Sequence, residues 1–212
     1  MNKNILVACD QNYYNDWAEA FLKSAYNRNP WLRNKLFCHI VNPTSFTKLP
    51  YVTYSLEDRT FSSDESRIAY LQAVRFLAVA EKISNTELFV TVDADTICTK
   101  SFTEKEFEKV FNNTHVLKHR KAGNWLAGFV TFNNPAFAID YATRLQAISI
   151  DNWNIGRDQV ILAELAKDYK FKELPLMWMV YGKNKYGSIF YTLKGDQKIT
   201  QKYKSVYDKY VI

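Results

Sequence analysis

Val90-Thr91-Val92-Asp93-Ala94-Asp95-Thr96 decides how this chain reads. The apolar run from Leu88 to Val92 predicts a buried strand that ends in two acids one residue apart. In an extended chain, side chains two apart point to the same face. Asp93 and Asp95 are therefore expected to present two carboxylates to one small volume at a strand's carboxyl end. Like charges that close repel unless something cationic sits between them. A divalent metal holding a phosphate suits that gap, because Mn²⁺ and Mg²⁺ take hard oxygen ligands and share them with substrate phosphates and water. The same residues also fit a solvated turn whose acids cap a helix. The rest of the chain has to choose between these readings.

Working outward, strand-like and helix-like segments alternate. Ile5 to Cys9 is a short apolar run ending in Asp10. Tyr13 to Asn27 has helical periodicity, with Trp17, Ala18, Phe21, Leu22 and Ala25 on one face, and Asn29-Pro30 stops it. Lys35 to Val41 and Tyr51 to Leu56 are two further strands. Ser62-Ser63-Asp64 caps a long helix from about Glu65 to Ile83, with Ile68, Leu71, Val74, Ala78 and Val79 inward. The strand of the acid pair runs from Glu87 to Thr96. A short helix begins at Thr103 and reaches about Phe111. Val116-Leu117 and Gly128 to Phe132 are strands, Pro135 opens a helix to about Ile148, Asp158 to Tyr169 is another helix, and Ile189 to Leu193 is a late strand.

This alternation predicts an α/β fold: a Rossmann-like three-layer sandwich with a mostly parallel central sheet and helices on both faces. Ligands in such sheets sit beyond the carboxyl ends of the strands. Asp10 shares that edge with Asp93 and Asp95. No repeat, low-complexity run or Pro/Gly-rich linker breaks the chain, so residues 1–212 read as one domain.

Composition narrows the classes. No window approaches the roughly 18 uninterrupted apolar residues of a membrane span. Met1 to Asn4 runs straight into Ile5 with no cleavage-site pattern, so no signal peptide is expected. Cys9, Cys38 and Cys98 form an odd set beside apolar runs and read as reduced, buried thiols of a cytoplasmic protein. The formal charge of +6 suits an anionic substrate, a nucleic acid or an anionic membrane surface. The aromatics fall mostly at core positions, so no stable nucleic-acid partner is expected. About 198–212 reads as a basic-aromatic helix docked on the domain, with peripheral membrane contact as the sharper alternative.

With this order of elements in place, the chain resembles the GT-A-fold glycosyltransferases, nearest to the glycogenin and lipopolysaccharide-galactosyltransferase group (glycosyltransferase family 8-like). The opening strand ending Ala8-Cys9-Asp10 is similar to the one that contacts the nucleotide base and ribose. Tyr70 to Phe76 resembles the helix whose arginine reaches the donor, and the match falls on Arg75. Asp93-Ala94-Asp95 matches the DXD metal motif. The resemblance implies that Asp93 touches ribose and metal, while Asp95 binds the metal directly. Leu126 to Asn133 looks like the strand beside the donor sugar, with Gly128 in the matching triplet. Gly156-Arg157-Asp158-Gln159 resembles the "DQ" motif near the reacting carbon. Gly195 to Lys198 fits the Gly-x-x-Lys that holds the diphosphate, through Gly195 and Lys198. Two positions depart from the family. Tyr191 stands where a histidine supplies the third metal ligand, and Leu126 replaces the asparagine of the "NAG" triplet.

The resemblance implies transfer from a nucleoside-diphosphate sugar, a UDP-sugar foremost, to an acceptor the sequence does not name. It implies Mn²⁺ or Mg²⁺ as cofactor and retention of configuration, with Asp158 and Gln159 at the reacting face as catalytic residues. Inversion would instead need a carboxylate base, a part Asp158 would take. Trp153 and Lys170 to Lys185 are expected around the acceptor. The rivals are a catalytically degenerate nucleotide-sugar-binding protein of the same fold and, more distantly, a nucleic-acid-binding module.

Overall fold

The computed structural model describes residues 2–118, 124–181, 187–192 and 208. The expected Gly195 and Lys198, the tail helix at about 198–212 and part of the expected acceptor region lie outside these. In chain order the strands are β1 (Asn2–Asp10), β2 (Leu36–Val41), β3 (Val52–Glu57), β4 (Glu87–Val92), β5 (Thr96–Cys98), β6 (His115–Lys118), β7 (Trp125–Phe132), β8 (Lys172–Glu173), β9 (Met179–Tyr181) and β10 (Phe190–Thr192). The helices are α1 (Gln11–Tyr13), α2 (Glu19–Arg28), α3 (Asp64–Lys82), α4 (Glu104–Phe111), α5 (Pro135–Gln146) and α6 (Arg157–Leu165).

Seven strands form the central sheet in the order β3-β2-β1-β4-β7-β6-β8. β1 pairs in parallel with both β2 and β4, and β2 with β3. β7 runs antiparallel to both its neighbours, β4 and β6. The sheet is therefore mostly parallel, as the alternation predicts.

β1 shows why the sheet is covered on both faces. Ile5, Val7 and Cys9 join one core with Phe21 and Leu22 of α2 and Phe107 and Phe111 of α4. Leu6 and Ala8 join the opposite core with Val74 and Phe76 of α3, Tyr141 of α5 and Leu162 of α6. The two-residue alternation of an extended chain feeds both layers at once. All three cysteines are free and buried. A hydrogen bond with Cys38, together with burial, pushes the Cys9 thiol up, and burial pushes Cys98 up to about 12, so neither is a thiolate.

A second sheet, β5-β10-β9, corrects the expected strand through Thr96. β4 ends at Val92, and β5 begins at Thr96 in the other sheet, where Thr96 faces Thr192 of β10. Asp93 to Thr96 is the turn between them. The Thr96 N–H donates to the Asp93 carbonyl at 3.1 Å, and the Asp93 N–H donates to Gly128 at 3.0 Å. Two sheets cannot share one straight strand, so the chain bends at the acids. Trp178 packs against Phe102, Phe107 and Phe111, binding the small sheet to the α4 side of the large one.

Local chemistry sets the helix starts. Ser63 caps α3 by accepting from the Ser66 N–H, and Thr103 with Glu106 forms a full capping box on α4. Residues 11–28 are helical throughout, with a π-helical stretch over Tyr14–Ala18 between α1 and α2. Gly156, at φ 85°, precedes α6 in the left-handed region that glycine tolerates best. Asp158, the expected first residue of this helix, lies inside α6 and is buried. Trp153, expected around the acceptor, has a buried side chain. It is buried against Tyr70, with its indole N–H donated to Ile148 at 3.0 Å. Among the described residues, no helix is long and apolar enough to cross a membrane.

Candidate functional site

A cavity of about 520 Å³ opens at the carboxyl ends of β1 and β4, lined by Ala8, Asp10, Arg75, Asp93 and Asp95 among others. A smaller one of about 160 Å³ shares Arg75 and Asp93 with it and adds Gly128, Asp158 and Gln159. Every residue expected at the donor, the metal or the reacting carbon, within the described chain, therefore lines one of two cavities that share walls.

Arg75 joins them. It is buried on α3, and its Nη1 lies 2.9 Å from Oδ1 of Asp93. Its Nη2 lies 3.4 Å from Oδ2 of Asp158 and donates to the Ala127 carbonyl at 3.0 Å. A cation held between carboxylates from two different elements is costly to bury unless all three partners stay together. Burial pushes the Asp158 carboxyl up to about 6, with Arg75 opposing the rise and Asp93 adding to it. The Gln159 N–H caps the same carboxylate at 2.8 Å, and the Tyr141 hydroxyl donates to the Asp158 carbonyl. Burial, above all, drives the Tyr141 hydroxyl well up, so it stays a donor.

Asp10 makes two contacts, one local and one across the cavity wall. Its Oδ1 accepts the Tyr13 N–H at 2.8 Å as the cap of α1, while Oδ2 pairs with Arg67 Nη1 at 2.8 Å on the cavity wall. Asp95 is buried and accepts from the Tyr13 hydroxyl at 2.9 Å. Tyr13, Arg67 and Gln72 are site residues the sequence reading passed over. Gln72 accepts the Gly156 N–H at 2.9 Å and so pins the start of α6 to α3. Periodicity held a signal for two of them: Arg67, Leu71 and Arg75 recur every four residues on α3, and Ile68 and Gln72 stand beside them. All five line the larger cavity. This corrects the inward placement of Ile68, which is 38% exposed and faces the cavity mouth.

The donor set is all hard oxygen. Asp93 and Asp95 suit a divalent ion that keeps phosphate oxygens and water in its shell, the habit of Mg²⁺ and Mn²⁺. Among the described residues no three His, Cys, Asp or Glu side chains cluster around such an ion. Tyr191, at the family's histidine position, is buried, and Thr192 after it lines the cavity. The Thr192 hydroxyl is bonded to that of Thr96 at 2.6 Å.

No family model and no curated protein matches the chain. Solved structures do. The galactosyltransferase LgtC, in complex with donor and acceptor sugar analogs, is similar at a TM-score of 0.63 and 12% identity, over 99% of this chain and 96% of that one. The fold is GT-A. The apo form of the glycosyltransferase GlyE of Streptococcus pneumoniae TIGR4 shares this GT-A likeness at a TM-score of 0.64 and 14% identity, over 100% of this chain and 61% of that one. The bifunctional glycosyltransferase WbbM is similar at 0.57 and 15%, over 91% of this chain and 46% of that one. The chain thus spans less than half the length of WbbM and about three-fifths of GlyE, but nearly all of LgtC. In GT-A terms the two cavities lie at the ligand edge of the parallel strands.

Proposed function

We propose that this chain is a glycosyltransferase that moves a sugar from a nucleoside-diphosphate sugar to an acceptor hydroxyl, with retention of configuration. One observation carries the reading: Arg75 is clamped between Asp93, at the acid-pair turn, and Asp158, at the start of α6. The clamp links a cavity of about 520 Å³ to a smaller one of about 160 Å³, an arrangement suited to a nucleotide in the first and its sugar in the second. The fold shared with LgtC, whose structure holds donor and acceptor sugar analogs, supports the same reading.

In this reading Asp93 and Asp95 hold Mn²⁺ or Mg²⁺, which when bound supplies positive charge for the departing diphosphate. Arg75 keeps the Asp93 carboxylate oriented and adds its own charge. Gly195 and Lys198 are proposed as diphosphate contacts. Breaking the anomeric C–O bond leaves positive charge on the sugar ring. Above its pKa of about 6, Asp158 places a fixed carboxylate beside that charge, in a buried position where the field is strong. Gln159, on the same wall, offers an amide to the sugar hydroxyls or the incoming acceptor. The acceptor oxygen bonds to the anomeric carbon as the bond to the diphosphate breaks, its proton passes to an oxygen of the leaving diphosphate, and the nucleoside diphosphate is released.

The test is a panel of nucleotide sugars with Mn²⁺, reading both binding and release of nucleoside diphosphate. Metal-dependent release supports the proposal, and absence of binding to every nucleotide sugar removes it. Tyr191, standing where the family's histidine is expected, leaves one second reading, a binding protein without turnover. Binding without release would select it.

A further inference from the structure

We infer that Ser55, His39 and Glu57 form a second site, separate from the first, in which an activated Ser55 hydroxyl cleaves small acyl esters. The inference does not rest on the nucleotide-sugar reading.

The sheet places the three residues. β2 and β3 pair in parallel with His39 directly opposite Ser55, and Glu57 follows two residues later on β3. Residues two apart share a face, so the three side chains stand together. That face is the one α3 covers, since Tyr70 of α3 reaches Glu57. All three line a cavity of about 370 Å³ whose lining shares no residue with the cavities around Asp93.

The hydrogen bonds assign the roles. The Ser55 hydroxyl lies 2.9 Å from Nδ1 of His39, and Nε2 of His39 lies 3.0 Å from Oε2 of Glu57. An ionised carboxylate only accepts, so the Glu57 contact puts the proton of the neutral imidazole on Nε2. Nδ1 is then the acceptor, and Ser55 donates to it. A nucleophile, a base and a group that orients the base thus follow one another, each within hydrogen-bond reach. Glu57 is fixed in turn. The Tyr70 hydroxyl donates to both its oxygens at 2.8 Å, and Arg59 Nε donates at 2.5 Å. These donors hold its carboxyl below the usual range, so it stays charged. His39 is buried while Ser55 is only half-buried, so the base is shielded and the hydroxyl is open to the cavity. The same bonds also tie the edge strand to the sheet. What marks a reactive site is the cavity over the hydroxyl, with the Arg59 guanidinium on its wall and Val74 and Leu77 as an apolar side for a short acyl chain.

The chemistry balances within the site. Ser55 Oγ bonds to the ester carbonyl carbon as its proton passes to Nδ1 of His39. The carbonyl oxygen takes up negative charge, which Arg59 is placed to offset. The bond to the alcohol oxygen breaks, and the alcohol leaves with the proton from Nδ1. Water then gives a proton to Nδ1 and its oxygen to the acyl carbon. Ser55 recovers the proton, and a carboxylic acid is released.

The experiment treats the full chain with a fluorophosphonate probe, maps the labelled residue by mass spectrometry, and follows p-nitrophenyl acetate hydrolysis, for the wild type, Ser55→Ala and His39→Gln. Label is expected on Ser55, with ester hydrolysis above the buffer rate that falls to that rate in Ser55→Ala. His39→Gln is expected to slow labelling of Ser55 by about 100-fold or more, the range of a lost general base. Absence of label on Ser55 in the wild type overturns the inference, as does hydrolysis that survives in Ser55→Ala. Labelling of His39→Gln at the wild-type rate also overturns it, because Ser55 would then react without its base. The label site and Ser55→Ala, which changes one half-buried hydroxyl on the edge strand, decide the question even if His39→Gln fails to fold.

Discussion

The Nη1 of Arg75 lies 2.9 Å from Oδ1 of Asp93, and this buried pair fixes the turn that carries both acids. Arg75 comes from the long α3 helix and Asp93 from the junction of two sheets, so the contact ties three layers at one point. Arg75→Ala would leave Asp93 and the buried Asp158 without their cation. Breaking a buried pair from one side costs about 3–5 kcal/mol. A drop of that size in urea unfolding free energy is expected at pH 7. A loss within about 0.5 kcal/mol would mean the pair is solvated like an ordinary surface bridge.

Asp158 predicts a pH dependence of opposite sign to most carboxylates. Its folded pKa is about 6, raised by burial above the usual aspartate value of about 4. Between those values the folded state keeps a proton that the unfolded state has released. Stability from this group is therefore full below about pH 4 and is lost as pH rises to about 6, on the order of 3 kcal/mol in all. Asp158→Asn removes the titration. The free-energy difference between wild type and variant, followed by urea unfolding from pH 4 to 7, should move against the wild type by that order. A difference independent of pH would show that Asp158 titrates normally.

Glu57 predicts the ordinary sign. Burial alone would raise its pKa, but donation from Tyr70, Arg59 and His39 outweighs it and holds the carboxyl below its usual range. Its stabilisation is present above the unfolded value and lost as pH falls through the folded one. Glu57→Gln should cost about 1–3 kcal/mol at pH 7, as for hydrogen bonds to a charged group, and less at pH 4. An equal cost at both pH values would assign the effect to packing.

Much of this arrangement is legible in the sequence, and the reasons differ by element. β1 and β4 announce themselves because strands buried on both faces read as continuous apolar runs. α3 is bounded within a residue or two because Ser63 caps it and its apolar stripe holds. The acid pair sits at the expected sheet edge, but the local geometry differs from an extended strand. Both acids reach the cavity wall through a turn closed by Thr96 and held by Gly128, not through two-residue alternation along a strand. Only the neighbouring sheet shows that. Ile68 looks inward on a helical wheel, yet the wheel does not say where a cavity interrupts the core. Tyr13 and Arg67 were missed because their roles depend on partners 82 and 57 residues away in sequence.

The Tyr13 hydroxyl bonds Oδ2 of Asp95 at 2.9 Å, from the helix that Asp10 caps. A group that orients a metal ligand typically changes affinity by about 10–100-fold when removed. Tyr13→Phe should therefore weaken Mn²⁺ binding by about tenfold, read by electron paramagnetic resonance of the free ion. Unchanged affinity would mean the bond is incidental to the ion.

In the proposed mechanism the acids at Asp93 and Asp95 work on a nucleoside-diphosphate sugar through a divalent ion. The most direct measurement is Mn²⁺-stimulated release of nucleoside diphosphate from a nucleotide-sugar panel, for the wild type and Asp95→Asn side by side. Release by the wild type is expected to need the ion and to be abolished in Asp95→Asn. Release that proceeds equally in the variant, or without any divalent ion, would contradict it.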